Sequence, residues 1–426
     1  MAAAFATMNS KSGLGEGIEE SKISSSGNGI PSDFMKGISI DSPGYDIKVV
    51  DSFDDMDLKD GLLRGLYSHG FDKPSRIQQV GIVPIKSGRD IIAQAQSGTG
   101  KTGTFVTGTL NNIDTTIPKV QAIILLPTRE LAEQVYDVMV SIGMYMGLKA
   151  TLAIGGSSVD DQKRQIVGGS HVIVGTPGRT YDLIVNKVGT HHFDGLKMLV
   201  MDEADEMLSD DFQEQVREIF RVIPSTAQVC LFSATLEPHV IKITERFLRD
   251  PIKILVEAEA LTLDGIKQYY VSMREQDKFN VLMDLYQSMS IAQCIIYCNS
   301  RERVEDVADK LIKNNFTVGM IHGKREWNDR RRIMKDFKEG KLRVLLATDL
   351  LARGIDVQQV AIVINYDIPR DISNYLHRIG RSGRYGRKGI GINFVSRETE
   401  EQMTAIADHY KTFIEEMPIN FIKHIE

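Results

Sequence analysis

Cysteine is scarce: Cys230, Cys294 and Cys298 are the only three thiols in 426 residues. They cannot build a disulfide framework, and no adjacent histidine pattern makes them a zinc site, so they read as small buried hydrophobes of a reducing, intracellular protein. Long apolar runs are also missing. The best stretches, such as Val120 to Pro127, are strand-length and fall short of the ~18 residues that cross a bilayer, so no membrane span is expected. No basic start leads into an apolar segment and cleavage site, and no secretory leader is expected. Neither charge dominates: 51 basic against 57 acidic residues leave a formal charge of -6. That argues against a protein that coats nucleic acid by global charge and leaves a local basic groove open. The 42% apolar and 25% charged content carries none of the bias of collagen-like, coiled-coil or wholly disordered chains.

What is present exceeds one compact core, and at ~150 residues per domain the length implies two or three domains. Residues 1–45 are rich in Ser and Gly, as in Ser24-Ser25-Ser26-Gly27-Asn28-Gly29, and lack an apolar period, which is the composition of a disordered tail. From Phe53 to Leu255, strand-like runs alternate with helical patterns: Ile91 to Ala93, Ala122 to Leu126, Val172 to Val174, Leu199 to Met201 and Val229 to Phe232. A second series has strands at Cys294 to Tyr297, Thr317 to Ile321, Val344 to Ala347, Ala361 to Ile364 and Gly391 to Val395, with helices at Glu302 to Lys313 and Trp327 to Phe337 between them. Small and acidic residues separate the two series. The expected organisation is therefore an N-terminal α/β domain over 46–257, a linker over 258–265 and a C-terminal α/β domain over 266–426. Each would be a mainly parallel sheet covered by helices. Functional groups in such sheets gather just past the carboxyl ends of strands.

Ala95-Gln96-Ser97-Gly98-Thr99-Gly100-Lys101-Thr102 follows an expected strand and leads into a helix, the setting of a phosphate-binding loop. Its glycines let backbone N–H groups face anionic oxygens, Lys101 reaches the β- and γ-phosphates, and the Thr102 hydroxyl suits Mg2+. The alternative is a Gly-rich turn with a surface lysine. Leu199-Val200-Met201 delivers Asp202-Glu203-Ala204-Asp205 to a strand end, where Asp202 suits a metal and Glu203 the polarisation of a water. A solvated acidic turn is the bland alternative. In His377-Arg378-Ile379-Gly380-Arg381-Ser382-Gly383-Arg384, Arg381 and Arg384 are three apart, so on a helical turn they share a face and can act as arginine fingers on developing phosphate charge. A solvated basic helix is the alternative there.

Together these segments resemble the DEAD-box ATP-dependent RNA helicases, over about Phe53 to the C-terminus. The further motifs stand in family order: Gly70 to Gln78, Pro127-Thr128-Arg129-Glu130-Leu131-Ala132, Gly155-Gly156, Thr176-Pro177-Gly178-Arg179, Ser233-Ala234-Thr235, Ala347-Thr348-Asp349 and Arg353-Gly354-Ile355-Asp356. The resemblance implies two RecA-like domains that close over ATP, Mg2+ and RNA. It implies that Gln78 selects adenine, Phe71 and Tyr385 sandwich the ring, Asp356 holds the ribose, and Ser233 and Thr235 couple Asp205 to closure with His377 in the same polar network. It also implies contacts to the phosphodiester backbone from Thr128, Arg129, Gly156, Thr176, Gly178 and Arg179, and from Asn299, Arg301, Gly323, Arg330 and Thr348 in the second domain.

Ser52 to Met56, Leu261 to Ile266 and Glu415 to Pro418 resemble the branch that holds translation initiation factor 4A and its nuclear exon-junction paralogue. That branch implies a cytoplasmic helicase of translation initiation, a monomeric catalytic subunit on a scaffold like initiation factor 4G, with single-stranded or partly duplex RNA as substrate. The alternative is an ATP-dependent RNA clamp in a nuclear mRNA-protein complex. After His322-Gly323 the family continues with Asp and Met and then a Pro-Gln turn, whereas this chain reads Lys324-Arg325-Glu326-Trp327-Asn328-Asp329-Arg330-Arg331-Arg332. The departure predicts stronger, more salt-dependent RNA contact, or else a solvated helix start with Trp327 packed inward.

Overall fold

The computed structural model describes residues 38–95, 98–236, 238–244, 247–256, 266–288, 293–351, 360–382 and 389–418. The expected linker and all of the tail before residue 38 lie outside these. The chain divides into two compact units, the first built on residues 38–95 and 99–256 and the second on residues 266–418.

The first unit carries β1 (Ile38–Asp41), β2 (Ile91–Gln94), β3 (Ala122–Leu125), β4 (Ala150–Ala153), β5 (Val172–Gly175), β6 (Met198–Asp202), β7 (Gln228–Ser233) and β8 (Ile252–Val256) in the spatial order β1-β8-β2-β7-β6-β3-β5-β4. From β8 to β4 every pairing is parallel, and β1 lies antiparallel on β8. The second unit carries β9 (Ile266–Ser272), β10 (Cys294–Tyr297), β11 (Val318–Ile321), β12 (Val344–Ala347), β13 (Ile362–Asn365), β14 (Gly389–Val395) and β15 (Glu415–Glu416) in the order β11-β12-β10-β13-β14-β9-β15, all parallel. This is the α/β architecture the alternation predicts.

Parallel strands need crossover helices, and helices on both faces bury a strand from end to end. That is why β3, β5, β6, β7, β10, β12 and β13 are buried at every position and largely apolar, with polar residues only at the ends of β6, β7 and β13. The outermost strands β4 and β11 alternate buried with half-buried residues instead. Side-chain caps start several of the crossover helices. Thr128 accepts from the Leu131 N–H, Ser158 from Asp161 and Ser300 from Arg303, at 3.2, 3.3 and 3.2 Å. Buried Asp90 fixes one end of the first sheet by accepting the N–H groups of Val229 at 2.8 Å and Arg249 at 2.7 Å.

The tail boundary needs correction. Ile38–Asp41, assigned to the disordered segment by composition, is a strand in which Ile38 pairs with Val256 and Ile40 with Ile254. Two alternating isoleucines are too short a signal to stand out from the Ser/Gly background. Strands β4, β8 and β9 were also not expected, because their apolar residues are interrupted by Thr, Lys or Gln, nor was β15, which is two glutamates.

Where the helix Asp60–His69 crosses the end of the helix Arg129–Ile142, a Cβ on Gly65 would lie 1.8 Å from the Ile142 carbonyl oxygen. Gly65→Ala must push the two helices apart and is expected to destabilise the first unit by about 1–3 kcal/mol. A urea-unfolding midpoint equal to wild type would contradict this packing.

Candidate active site and nucleic-acid interface

The loop after β2 starts with the Ala95 N–H donating to the Ser233 carbonyl of β7 at 3.0 Å. Gly98 and Gly100 hold φ of 83° and 110°, in the left-handed region that other residues enter at a cost. A Cβ on Gly100 would also come within 2.4 Å of the Ser75 hydroxyl. The helix Lys101–Asn112 begins at once, so its N-terminal N–H groups and dipole face the loop. Lys101 is 6% exposed, and its ammonium donates to the Ala95 carbonyl at 2.9 Å, a weak partner that an anion can displace. Thr102 is half-buried in the first turn. Ser97 lies outside the described residues.

Gln78 is buried beside this loop. Its carbonyl oxygen accepts the Ser75 N–H at 2.8 Å, and its amide nitrogen donates to the Gly100 carbonyl at 3.3 Å. Phe71 stacks on Phe53, with centroids 6.5 Å apart and planes at 19°. Both side chains close on Gly103, where a Cβ would meet the Gln78 amide nitrogen at 2.4 Å and the Phe71 ring at 3.0 Å. The sequence reading missed Gly103. A glycine inside a helix, one residue after the loop threonine, was the available signal.

Asp202 ends β6 and Glu203 follows it, respectively 3% and 2% exposed. Glu203 adopts φ 52°, a left-handed conformation that is strained for a glutamate, as functional positions often are. Burial first, then the neighbouring Glu203 charge, raises the Asp202 pKa to about 7, against the opposing pull of Lys101 and of the Glu203 N–H, which donates to Asp202 Oδ1 at 3.0 Å. Asp205 receives the Ser233 hydroxyl at 2.6 Å and the Thr235 hydroxyl at 2.9 Å. The acidic segment is thus tied to the end of β7.

The other half of the same sheet edge is differently equipped. Thr128 and Arg129 follow β3, Gly156 follows β4, and Thr176-Pro177-Gly178-Arg179 follows β5. The Arg129 guanidinium lies against Gly155, where a Cβ would be 2.9 Å from its Nη2. Arg179 donates to the Ser157 carbonyl at 3.1 Å and to Gln162 Oε1 at 2.9 Å. Gln162, also missed in the sequence, is buried and donates to the carbonyls of Leu152 and Ile154 at 3.0 and 3.2 Å. It therefore holds the Gly155-Gly156 loop and aims Arg179. Gly178 has open space where a Cβ would stand.

In the second unit a single arginine organises the strand ends. Arg378 is 0% exposed and reaches Asp349 at 2.5 and 2.9 Å, Asn299 Oδ1 at 2.8 Å, Asn365 Oδ1 at 3.2 Å and the Asp367 carbonyl at 2.7 Å. It thereby fixes the residues just past β10, β12 and β13. The sequence reading passed over it for its neighbours. Arg381 follows the helix Ile372–Ile379 on a turn in which its N–H donates to the Arg378 carbonyl at 3.2 Å. It is 2% exposed, and its Nε donates to the His377 carbonyl at 2.9 Å. His377 is buried. Asp356, Arg384 and Tyr385 lie outside the described residues. Thr348 donates its N–H to the Ile321 carbonyl at 3.3 Å, Arg301 opens the helix Arg301–Lys313, Gly323 is exposed, and Arg330 is buried.

The raised Asp202 pKa makes its proton favour the fold: that contribution is complete below the ordinary value near pH 4 and is lost as pH rises to about 7. Asp202→Asn, which keeps the neutral shape, is expected to raise the unfolding midpoint more at pH 8 than at pH 5. An equal effect at both pH values would contradict the shift.

With this geometry in view, the family comparisons are specific. Residues 75–243 match the DEAD/DEAH box helicase family and residues 277–386 the helicase conserved C-terminal domain. The chain is 52% identical over 377 residues to "ATP-dependent RNA helicase eIF4A" of Chaetomium globosum, covering 88% of this chain and 94% of that one. It is 51% identical over 374 residues to "Eukaryotic initiation factor 4A" of Drosophila melanogaster, covering 88% and 92%. Among solved structures, S. cerevisiae Dbp5 bound to RNA and ADP BeF3 superposes with a TM-score of 0.83 at 34% identity, covering 88% of this chain and 98% of that one. Asp202-Glu203-Ala204-Asp205 spells the motif that names the group, and the chain belongs to the DEAD-box helicases, with two RecA-like domains.

Proposed function

We propose that this protein is an ATP-dependent RNA helicase that couples ATP hydrolysis to local unwinding of RNA in translation initiation. The observation that carries the reading is the division of one sheet edge. The ends of β2, β6 and β7 hold the ammonium and carboxylates of a nucleotide site, and the ends of β3, β4 and β5 hold arginines and open backbone suited to a phosphodiester chain. The relatives named above support the initiation-factor reading over the nuclear clamp.

In this reading Lys101, Gly98, Thr99 and Gly100, with Ser97, cradle the phosphates of ATP. Thr102 and Asp202 are hard oxygen donors that would hold Mg2+, partly through water. Asp202, whose charge is costly where it sits, is a group that a cation would stabilise. Mg2+ would supply neutralisation of phosphate charge there. Glu203 accepts a proton from the water that attacks the γ-phosphorus, and ADP leaves with the β–γ bridging oxygen. Arg381 and Arg384 supply positive charge to that transition state. Gln78, Phe71, Tyr385 and Asp356 hold the adenosine. Asp205, Ser233, Thr235 and His377 transmit nucleotide state to RNA held by Thr128, Arg129, Gly156, Thr176, Gly178, Arg179, Asn299, Arg301, Gly323, Arg330 and Thr348. A monomeric cytoplasmic subunit on a scaffold like initiation factor 4G completes the proposal.

Steady-state ATP hydrolysis tests it, with no nucleic acid, single-stranded RNA or matched DNA. RNA alone is expected to stimulate turnover, and Glu203→Gln to lower kcat by about 10²–10⁴-fold. Equal stimulation by DNA would contradict the RNA assignment. Undiminished turnover in the variant would contradict the role of Glu203.

A further inference from the structure

We propose that the surface around Trp327 is an additional RNA contact, in which one base stacks with the indole while Lys324 and Arg331 engage flanking phosphates. The inference rests on the RNA-helicase reading above and adds to it a site with its own recognition chemistry.

The loop from β11 to the helix Trp327–Lys338 is tightened by the Arg325 N–H donating to the His322 carbonyl at 3.1 Å. Gly323 is exposed, with nothing within 4 Å of where a Cβ would stand, and Lys324 beside it is exposed. On the helix, Arg330, Ile333, Met334 and Phe337 form the buried stripe. Trp327 continues that stripe by one turn but stays half-buried. Half-buried, the indole keeps part of its surface in solvent. Arg331, one turn on and exposed, sets its guanidinium carbon 5.5 Å from the indole centroid.

Charge points to a polyanion. Between Gly323 and Arg332 there are five basic and two acidic residues, in a chain of formal charge -6. Position points to the same strand of nucleic acid. The end of β11 is tied to that of β12 by the Thr348 N–H, which donates to the Ile321 carbonyl at 3.3 Å, and β12 to β10 by the Cys298 N–H, which donates to the Ala347 carbonyl at 3.0 Å. The patch therefore extends the row of strand ends that carries Asn299, Arg301 and Thr348. An acidic peptide could use the charges but has no π-face to match the indole, whereas single-stranded RNA offers both a phosphate chain and stacking bases.

Trp327 is the only tryptophan in the chain, so its fluorescence reports this surface alone. Titrating the full chain with single-stranded RNA is expected to quench that fluorescence over the range in which labelled-RNA anisotropy rises. Trp327→Leu is expected to weaken binding by about 5- to 150-fold. Arg331→Glu, on an exposed face, is expected to reduce the slope of log affinity against log salt by about 0.7. RNA binding with unchanged fluorescence, full affinity of Trp327→Leu and an unchanged salt slope would overturn this site and leave the helicase reading standing. No RNA binding at all would overturn both. Quenching by polyglutamate and not by RNA would make the surface a protein contact and also overturn the proposal.

Discussion

Every strand from β8 across to β4 runs in the same direction, so each connection must return through a helix and each strand ends at one edge of the sheet. Six loops of chemical consequence leave that edge, and the spatial order of the strands decides which chemistry sits beside which. Because β7 lies next to β2 and β6 next to β7, the carboxylates of Asp202 and Asp205 and the hydroxyls of Ser233 and Thr235 are delivered on the side of the glycine loop. Because β5 and β4 lie beyond β3, the arginines and open glycines form a separate half. Neither half could be assembled by neighbours in sequence alone.

Such an edge carries buried charge, and the two units handle it differently. In the second unit Arg378 is saturated: acceptors from the ends of three strands converge on one guanidinium, which favours a single arrangement of those ends. In the first unit the carboxylates are buried next to each other, Asp202 is pushed toward neutrality, and Glu203 is held in a strained backbone conformation. A site left unsettled in this way is poised to accept a compensating charge, which is the property a nucleotide-binding centre requires.

Sequence reasoning reached the two-sheet architecture because fully buried parallel strands are unbroken apolar runs, as in Val172 to Gly175 or Val344 to Ala347. The glycine loop before Lys101 and the acidic end of β6 were legible because each is local: a glycine pair before a lysine, an acidic cluster after Leu199-Val200-Met201. Sequence reasoning missed Gln162, Gly103 and Arg378 because their roles lie in what they touch across the fold. Gln162 spans the end of β4 and Arg179, Gly103 makes room for Phe71 and Gln78, and Arg378 joins three strand ends. It placed Ile38–Asp41 in the tail because that strand's partner lies more than 200 residues away in sequence.

The central claim is that nucleotide state and RNA binding are coupled through the shared edge, by way of the Asp205-Ser233-Thr235 hydrogen bonds. Coupling of this kind is reciprocal. The most direct measurement is the affinity for single-stranded RNA with a non-hydrolysable ATP analogue and with ADP, alongside the affinity for each nucleotide with and without RNA. The account predicts that the analogue tightens RNA binding relative to ADP, and that RNA raises the affinity for the analogue over ADP by the same factor. RNA affinity independent of the nucleotide would contradict it.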